Sequence, residues 1–247
     1  MYFLSLSILI ILAFFLERSY NPAQHCLKDA SSSVDLKESW NTKSRQAFSS
    51  NVILAVMQSS SIFILEAMPN VREQDVGFFG ACLSISGVIL LTTVIYKALL
   101  PKVSSANGQP KKSHDLNRKI RKTTAINLVI CISLSAAIAI FGKHLLRMFG
   151  LEYLPAYGPL LLMTAYATIF NLSYFSSRAL PISGHTKEAL LITCCSCALL
   201  IGLSCLLTYF FHLYGNILAL MIAWIVYGSC NYTILRKKTT IDGLGFA

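Results

Sequence analysis

Polar side chains recur at helical spacing within the apolar segment Phe48–Met68. Asn51 and Gln58 are seven residues apart, which places them about 20° from each other around a helix. Glu66 lies about 60° from Asn51, so the three side chains share one face over roughly 22 Å of the helix axis. Two interpretations follow from this stripe. It lines an aqueous cavity that binds a polar substrate, or it forms hydrogen bonds to a neighbouring helix.

A second polar stripe consists of Thr164, Asn171 and Arg178, each seven residues after the one before. Its arginine stands at the end of an apolar segment, where a planar guanidinium matches the geometry of phosphate oxygens. Arg45, just before Phe48, has the same chemistry. The alternative for both arginines is an ordinary place at the membrane surface, where basic residues flank membrane helices. We predict a substrate-binding site formed by Arg45, Asn51, Gln58, Thr164, Asn171 and Arg178.

Chemistry other than binding finds little support in the chain. The sequence has no Walker loop, nucleophile triad, zinc-ligand spacing or dinucleotide fingerprint, so we expect neither an enzyme nor a cofactor or metal site. Among eight cysteines, Cys194, Cys195 and Cys197 stand close together. Successive helical residues point about 100° apart, so these three read as small buried thiols rather than metal ligands. Ion-coupled antiport usually requires a buried carboxylate, for which Glu66 is the candidate.

The composition predicts an all-α, polytopic membrane protein. Of the 247 residues, 55% are hydrophobic and 13% are charged, about half the charge of an ordinary soluble domain. Seven apolar segments are separated by polar connections, and six of them reach the ~20 residues that a helix needs to cross a bilayer. The segments are Met1–Leu16, Phe48–Met68, Val76–Leu99, Thr123–Phe141, Pro155–Arg178, Ala189–Phe211 and Gly215–Leu235.

The positive charge orients the predicted helices. The chain has 21 lysines and arginines and a net charge of +10. Eighteen of these residues lie on alternate connections, and only Arg72, Lys143 and Arg147 lie on the other side. This asymmetry predicts that the N-terminus lies outside and the C-terminus in the cytoplasm. Attraction to anionic membrane lipids explains the basic connections without a nucleic-acid partner.

The order of the segments predicts four parts. Residues 1–16 read as a truncated transmembrane helix, with an uncleaved anchor and a signal sequence as alternatives, because no basic residue precedes the apolar stretch. Residues 17–47 form a polar cytoplasmic linker, residues 48–235 a lobe of six transmembrane helices, and residues 236–247 a basic cytoplasmic tail. Within the second cytoplasmic connection, His114–Lys122 is expected to form a short surface helix with Leu116 and Ile120 on its apolar side.

Several short motifs, taken in order, resemble the C-terminal half of polysaccharide and O-antigen flippases of the multidrug/oligosaccharidyl-lipid/polysaccharide exporter superfamily. The resemblance covers Arg45 to Leu235 and departs at Leu218-Ala219, where the family often has Gly-Ala. The motifs are Asp75-Val76-Gly77-Phe78-Phe79, Leu99-Leu100-Pro101-Lys102-Val103, Phe149-Gly150-Leu151-Glu152-Tyr153-Leu154-Pro155-Ala156, Ser183-Gly184-His185-Thr186-Lys187 and Tyr214-Gly215-Asn216-Ile217-Leu218-Ala219.

The resemblance implies a function. Such proteins have two pseudo-symmetric lobes and move an undecaprenyl-diphosphate-linked oligosaccharide across the bacterial cytoplasmic (inner) membrane by alternating access. Arg45 and Arg178 would then contact the diphosphate, while the polar stripes would line the cavity. The expected partners are membrane lipids, the lipid-linked oligosaccharide, and a second lobe or subunit that completes the cavity. A multidrug/cation antiporter of the same superfamily and a nontransporting membrane partner are the alternative functions.

Overall fold

The computed structural model describes residues 33–106 and 110–239, and 93% of these residues are helical with no β-strand. The elements, in chain order, are α1 (Ser33–Ala67), α2 (Glu73–Leu91), α3 (Val94–Lys97), α4 (Leu100–Ala106), α5 (Pro110–Phe149), a 3₁₀ helix (Leu151–Ala156), α6 (Tyr157–Ile182) and α7 (Thr186–Lys238). The predicted all-α architecture is therefore confirmed. The segment predicted at residues 1–16 lies outside the described residues.

Four stretches within the described residues are long and apolar enough to cross a membrane, judged by length and composition. They are Trp40–Ala67, Glu73–Val103, His114–Phe149 and Thr186–Lys238. Because every backbone polar group within a bilayer must be paired inside its own segment, helices are the expected spanning form. The chain is a multi-pass membrane protein.

Helix α6 occupies the centre of the bundle. It packs against α2, α5 and α7, and 14 of its 26 residues are buried. It is not among the four strongly apolar stretches, because tyrosine, serine, threonine, asparagine and arginine dilute its hydrophobic residues. Neighbouring helices, rather than lipid, surround most of these polar side chains. The predicted span Pro155–Arg178 is thus an internal helix that begins two residues later and ends four residues later than expected.

Helix α7 is a hairpin of two arms. Its 53 residues are interrupted at His212, whose φ of 50° and ψ of −129° are not helical. Just beyond this break, a Cβ at Gly215 would overlap the backbone carbonyl of Leu207 on the first arm, so only glycine permits the arms to approach so closely. The break falls between the two spans predicted at 189–211 and 215–235.

Three element boundaries differ from the sequence predictions. Helix α1 begins at Ser33, so the end of the predicted linker 17–47 continues directly into the first span of the lobe. The predicted span Val76–Leu99 is divided between α2 and α3 by a turn at 92–93, and it ends in a second turn at 98–99, just before α4. The predicted surface helix His114–Lys122 belongs to the long helix α5, although Leu116 and Ile120 are buried on one side of it as expected.

Candidate functional site

A side-chain contact between α1 and α6 joins the two polar stripes. Arg178 Nη1 donates a hydrogen bond to Asn51 Oδ1 at 2.5 Å. The guanidinium carbon of Arg178 also lies 5.6 Å from the centroid of the Tyr174 ring, within the range of a cation–π interaction. Tyr174 precedes Arg178 by four residues on the same helix, which is the spacing that brings two helical side chains together.

Both partners of Arg178 are themselves held in place. Asn51 Nδ2 donates to the carbonyl of Ala47 at 3.0 Å, which turns the amide oxygen toward the arginine. The Tyr174 ring lies 6.4 Å from the Tyr96 ring and 6.3 Å from the Phe170 ring. Arg178 is therefore fixed by its surroundings before any ligand arrives, which lowers the entropic cost of binding.

The charge of Arg178 is not neutralised within the described residues. The ion pairs of that part of the chain involve Glu188 with His185 and Lys238, and none includes Arg178. Arg178 is half-buried, and a guanidinium carries five N–H donors. One donor is directed at Asn51, and no described residue accepts from the other four, which leaves them available to an anion. A partly desolvated cation without a carboxylate partner attracts negative charge strongly, because less water screens the interaction.

The α1 face that bears Asn51 is open. Asn51, Gln58 and Glu66 are all exposed. Arg45 is also exposed, six residues before Asn51 and about 120° from it around the helix. Among the described residues, Gln58 and Glu66 have no hydrogen-bonding partner. Amide and carboxylate groups on the outside of a membrane helix are costly if they face hydrocarbon. This face therefore adjoins water or another protein surface.

Thr164 and Asn171 lie in different surroundings from Arg178. Thr164 is buried and donates to the carbonyl of Leu160 on its own helix at 2.7 Å. Asn171 is completely buried and connects three helices: it accepts from Asn127 at 2.6 Å and donates to the Ile89 carbonyl at 2.9 Å and to Thr92 Oγ1 at 2.6 Å. The structure thus brings Arg178 and Asn51 together, while Thr164 bonds within its own helix and Asn171 bonds to α2 and α5.

Sequence reasoning missed Tyr174, Asn127 and Thr92. Tyr174 could have been found from its spacing to Arg178, and Asn127 is an amide within the predicted span Thr123–Phe141. Asn127 and Thr92, however, both pair with Asn171 on another helix, which is 44 residues from Asn127 and 79 from Thr92. No local pattern indicates such pairing. Across residues 33–106 and 110–239, no three His, Cys, Asp or Glu side chains lie close enough together to hold a metal ion.

Comparison with known proteins identifies the class of fold. No protein-family model matches the sequence, and no curated protein matches it. Two solved structures share the fold. One is an outward-facing multidrug resistance MATE family transporter of the MOP superfamily, with a TM-score of 0.66 and 14% identity over 83% of this chain. The other is a MOP superfamily transporter from Pyrococcus furiosus, with a TM-score of 0.61 and 14% identity over 83% of this chain.

The chain spans about half the length of these transporters, covering 47% and 46% of them. At this level of identity the likeness establishes the fold alone. The described residues therefore have the fold of one half of a MOP superfamily transporter.

Proposed function

We propose that this chain is one lobe of a flippase that moves a lipid-linked oligosaccharide, carried on undecaprenyl diphosphate, across the bacterial cytoplasmic membrane. The observation that carries the proposal is the half-buried Arg178, held by Asn51 and Tyr174 with no carboxylate pairing it among the described residues. A phosphate group of a diphosphate fits such a fixed guanidinium, because two phosphate oxygens can accept from its planar fork.

Most residues of the predicted site have a role in the proposed function. Arg178 and Arg45 attract the diphosphate at the end of the bundle where the basic connections lie. Asn51 positions Arg178 and, together with Gln58, offers amide groups to sugar hydroxyls along α1. Asn171 supports the site by holding α6 against α2 and α5, and Thr164 remains a buried residue of α6 away from Arg178. The proposed orientation places the C-terminus and this basic end in the cytoplasm, where the lipid-linked substrate is made and from which it is moved outward.

Substitution of Arg178 tests the proposal. Arg178→Ala should abolish or strongly reduce glycan export in cells that depend on this chain, while Arg178→Lys keeps the charge but loses the planar fork and should retain part of the activity. Arg236→Ala, at an exposed arginine in the last turn of α7, is the matched control. Export at the wild-type level by Arg178→Ala, with normal protein abundance in the membrane, would remove Arg178 from the site.

A multidrug or cation antiporter is the second candidate function. Its support is the likeness to a multidrug resistance transporter and the exposed carboxylate of Glu66 on the same α1 face. Growth in the presence of cationic dyes, with and without the gene, separates the two functions. An antiporter protects cells through Glu66 and loses that protection in Glu66→Gln, whereas a flippase gives no protection in either form.

A second lobe is the proposed partner in both cases. The exposed polar face of α1, comprising Asn51, Gln58 and Glu66, is unsuited to lipid, and an opposing lobe would enclose it in a cavity. The alternative is that the chain is a nontransporting membrane partner of another protein. Copurification with a second hydrophobic subunit supports a two-part assembly, and a monodisperse monomer that transports by itself would exclude it.

A further inference from the structure

An apolar groove runs between α5 and α6 on the outside of the bundle. Its volume is about 460 Å³, and it is lined by Ile132, Ser135, Leu161, Thr164, Ala165, Thr168 and Ile169. Ile132 and Leu161 are 56% and 37% exposed, so the groove opens to the surroundings of the helices. The exposed side chains on this side of α5 are apolar, Val129 and Ile140 among them, which is the character of a helix face in contact with the hydrocarbon of the bilayer.

The hydroxyl groups in the groove are already paired. Thr164 Oγ1 donates to the Leu160 carbonyl at 2.7 Å, and Thr168 Oγ1 donates to the Thr164 carbonyl at 3.1 Å. Ser135 Oγ lies 3.3 Å from Thr168 Oγ1, within hydrogen-bonding distance. No polar group of the lining is left to recognise a sugar or an ion. The walls present methyl and methylene groups, which favours a hydrocarbon chain as the occupant.

A basic side chain stands above one end of the groove. Lys143 Nζ lies 5.2 Å from the centroid of the Tyr157 ring, and Lys143 is exposed. On α5, Lys143 follows Ile132 by 11 residues, which places the two about 20° apart around the helix and roughly 16 Å apart along it. On α6, Tyr157 lies one turn before Leu161. Lys143 and Tyr157 therefore sit over the groove, near the membrane surface at which α5 ends.

Tyr157 is fixed in this position. Its hydroxyl donates to the Ala139 carbonyl on α5 at 2.7 Å. Its ring lies against Gly142, where an added Cβ would come within 3.3 Å of a Tyr157 ring carbon and 3.1 Å of Leu160 Cδ2. The close approach of α5 and α6 at Gly142 thus holds the ring on which the Lys143 ammonium rests. Aromatic rings beside basic residues are common at the level of lipid headgroups.

We propose that α5 and α6 bind one anionic phospholipid, with its phosphate at Lys143 and one acyl chain in the groove. Charge complementarity selects the headgroup, since Lys143 is a cation at the membrane surface. The groove continues onto the exposed apolar face of α5, where Ile132, Val129 and Ile140 are all more than half exposed. An acyl chain of the lipid therefore fits both the groove and this face. This site is separate from Arg178 and does not depend on the transported substrate.

Lipid titration of the purified full chain by native mass spectrometry tests the proposal. Phosphatidylglycerol should bind more tightly than phosphatidylcholine of the same chain length. Lys143→Gln should reduce that preference about fivefold, the effect of one lysine at an anionic surface. Arg72→Gln, at an exposed arginine on the same predicted side of the membrane but next to α2 rather than α5 and α6, should leave it unchanged. Ala165→Phe fills the groove and should weaken the binding of both lipids, whereas Ala137→Phe, outside the groove, should not.

A labelling experiment on the unaltered chain gives an independent readout. Phosphatidylglycerol with a photoreactive group on one acyl chain should label peptides that contain Ile132 or Leu161 in preference to other lipid-exposed segments. Equal labelling of all exposed helices, or an unchanged headgroup preference in Lys143→Gln, would overturn the proposal. Displacement of phosphatidylglycerol by a more tightly bound polyprenyl phosphate would also overturn it and assign the groove to the carrier lipid.

Discussion

Replacing Asn171 by alanine removes three hydrogen bonds that connect α6 to its neighbours. The Asn171 side chain accepts from Asn127 on α5 and donates to the Ile89 carbonyl and to Thr92 Oγ1 at the end of α2. The side chain is completely buried, so water cannot replace these partners. The substitution therefore lowers the free energy of unfolding.

The size of the loss follows from the number of bonds. Hydrogen bonds between membrane helices contribute about 0.6 kcal/mol on average and at most about 1.7 kcal/mol, so three such bonds amount to about 2 kcal/mol. The substitution also leaves the buried amide of Asn127 without an acceptor, which costs a further ~1–3 kcal/mol unless the amide finds another partner. We expect Asn171→Ala to destabilise the protein by about 2–5 kcal/mol.

Reversible unfolding in mixed micelles, followed by tryptophan fluorescence as the fraction of denaturing detergent increases, measures this loss. A double-mutant cycle of Asn171→Ala with Asn127→Ala should give a coupling energy between about 0.6 and 1.7 kcal/mol. Asn231→Ala is the matched control, because Asn231 is also buried and, within the described residues, its amide donates to the Tyr227 carbonyl of its own helix rather than to another helix.

A different outcome would assign Asn171 to the substrate. If Asn171→Ala unfolded like Asn231→Ala and yet abolished export, hydrogen bonding between helices could not be the role of Asn171. Its place in the predicted binding site would then stand, despite its burial in the present conformation.

Three further predictions concern packing, surface charge and exposure. Gly228→Ala should destabilise the protein by about 1–3 kcal/mol, because a Cβ at Gly228 would overlap the Ser173 side chain of α6. In the same unfolding assay Gly202→Ala should be neutral, because a Cβ at Gly202 would meet no atom within 4 Å. Lys238→Ala removes the exposed ion pair with Glu188 that links the two ends of α7; it should cost less than ~1 kcal/mol, and the cost should disappear at high salt. Trp40 is 74% exposed and the second tryptophan 1%, so acrylamide should quench two populations of fluorescence, and Trp40→Phe should remove the accessible one.

The helices and the hairpin of α7 were predictable because their signals are local. Long apolar runs between polar connections identify membrane helices, and the polar residues around His212 separate the last two. The boundaries were less predictable: Ser33–Ala47 is polar but continues the helix of the adjoining span, since helix propensity operates outside the bilayer as well.

The site was predictable only in part. The seven-residue spacing predicted a polar stripe on α1 and another on α6, but it could not show which neighbouring helix each residue meets. Arg178 meets Asn51 across 127 residues of sequence, whereas Asn171, on the same stripe, turns to α2 and α5. Such pairings depend on the packing of the whole bundle, which helical periodicity alone does not specify.

The burial of α6 has a consequence for synthesis of the protein. A segment enters the membrane from the translocation machinery according to its own apolarity, and each polar residue near its centre opposes entry. Helix α6 carries Asn171 and several hydroxyl groups. Among the long helices of the described residues, it is the one that is not apolar enough to count as a membrane span by composition. Its stable partition into lipid therefore depends on α2, α5 and α7, which supply partners for those groups. We expect α6 to be retained in the bilayer only once both its preceding and its following helices have been made.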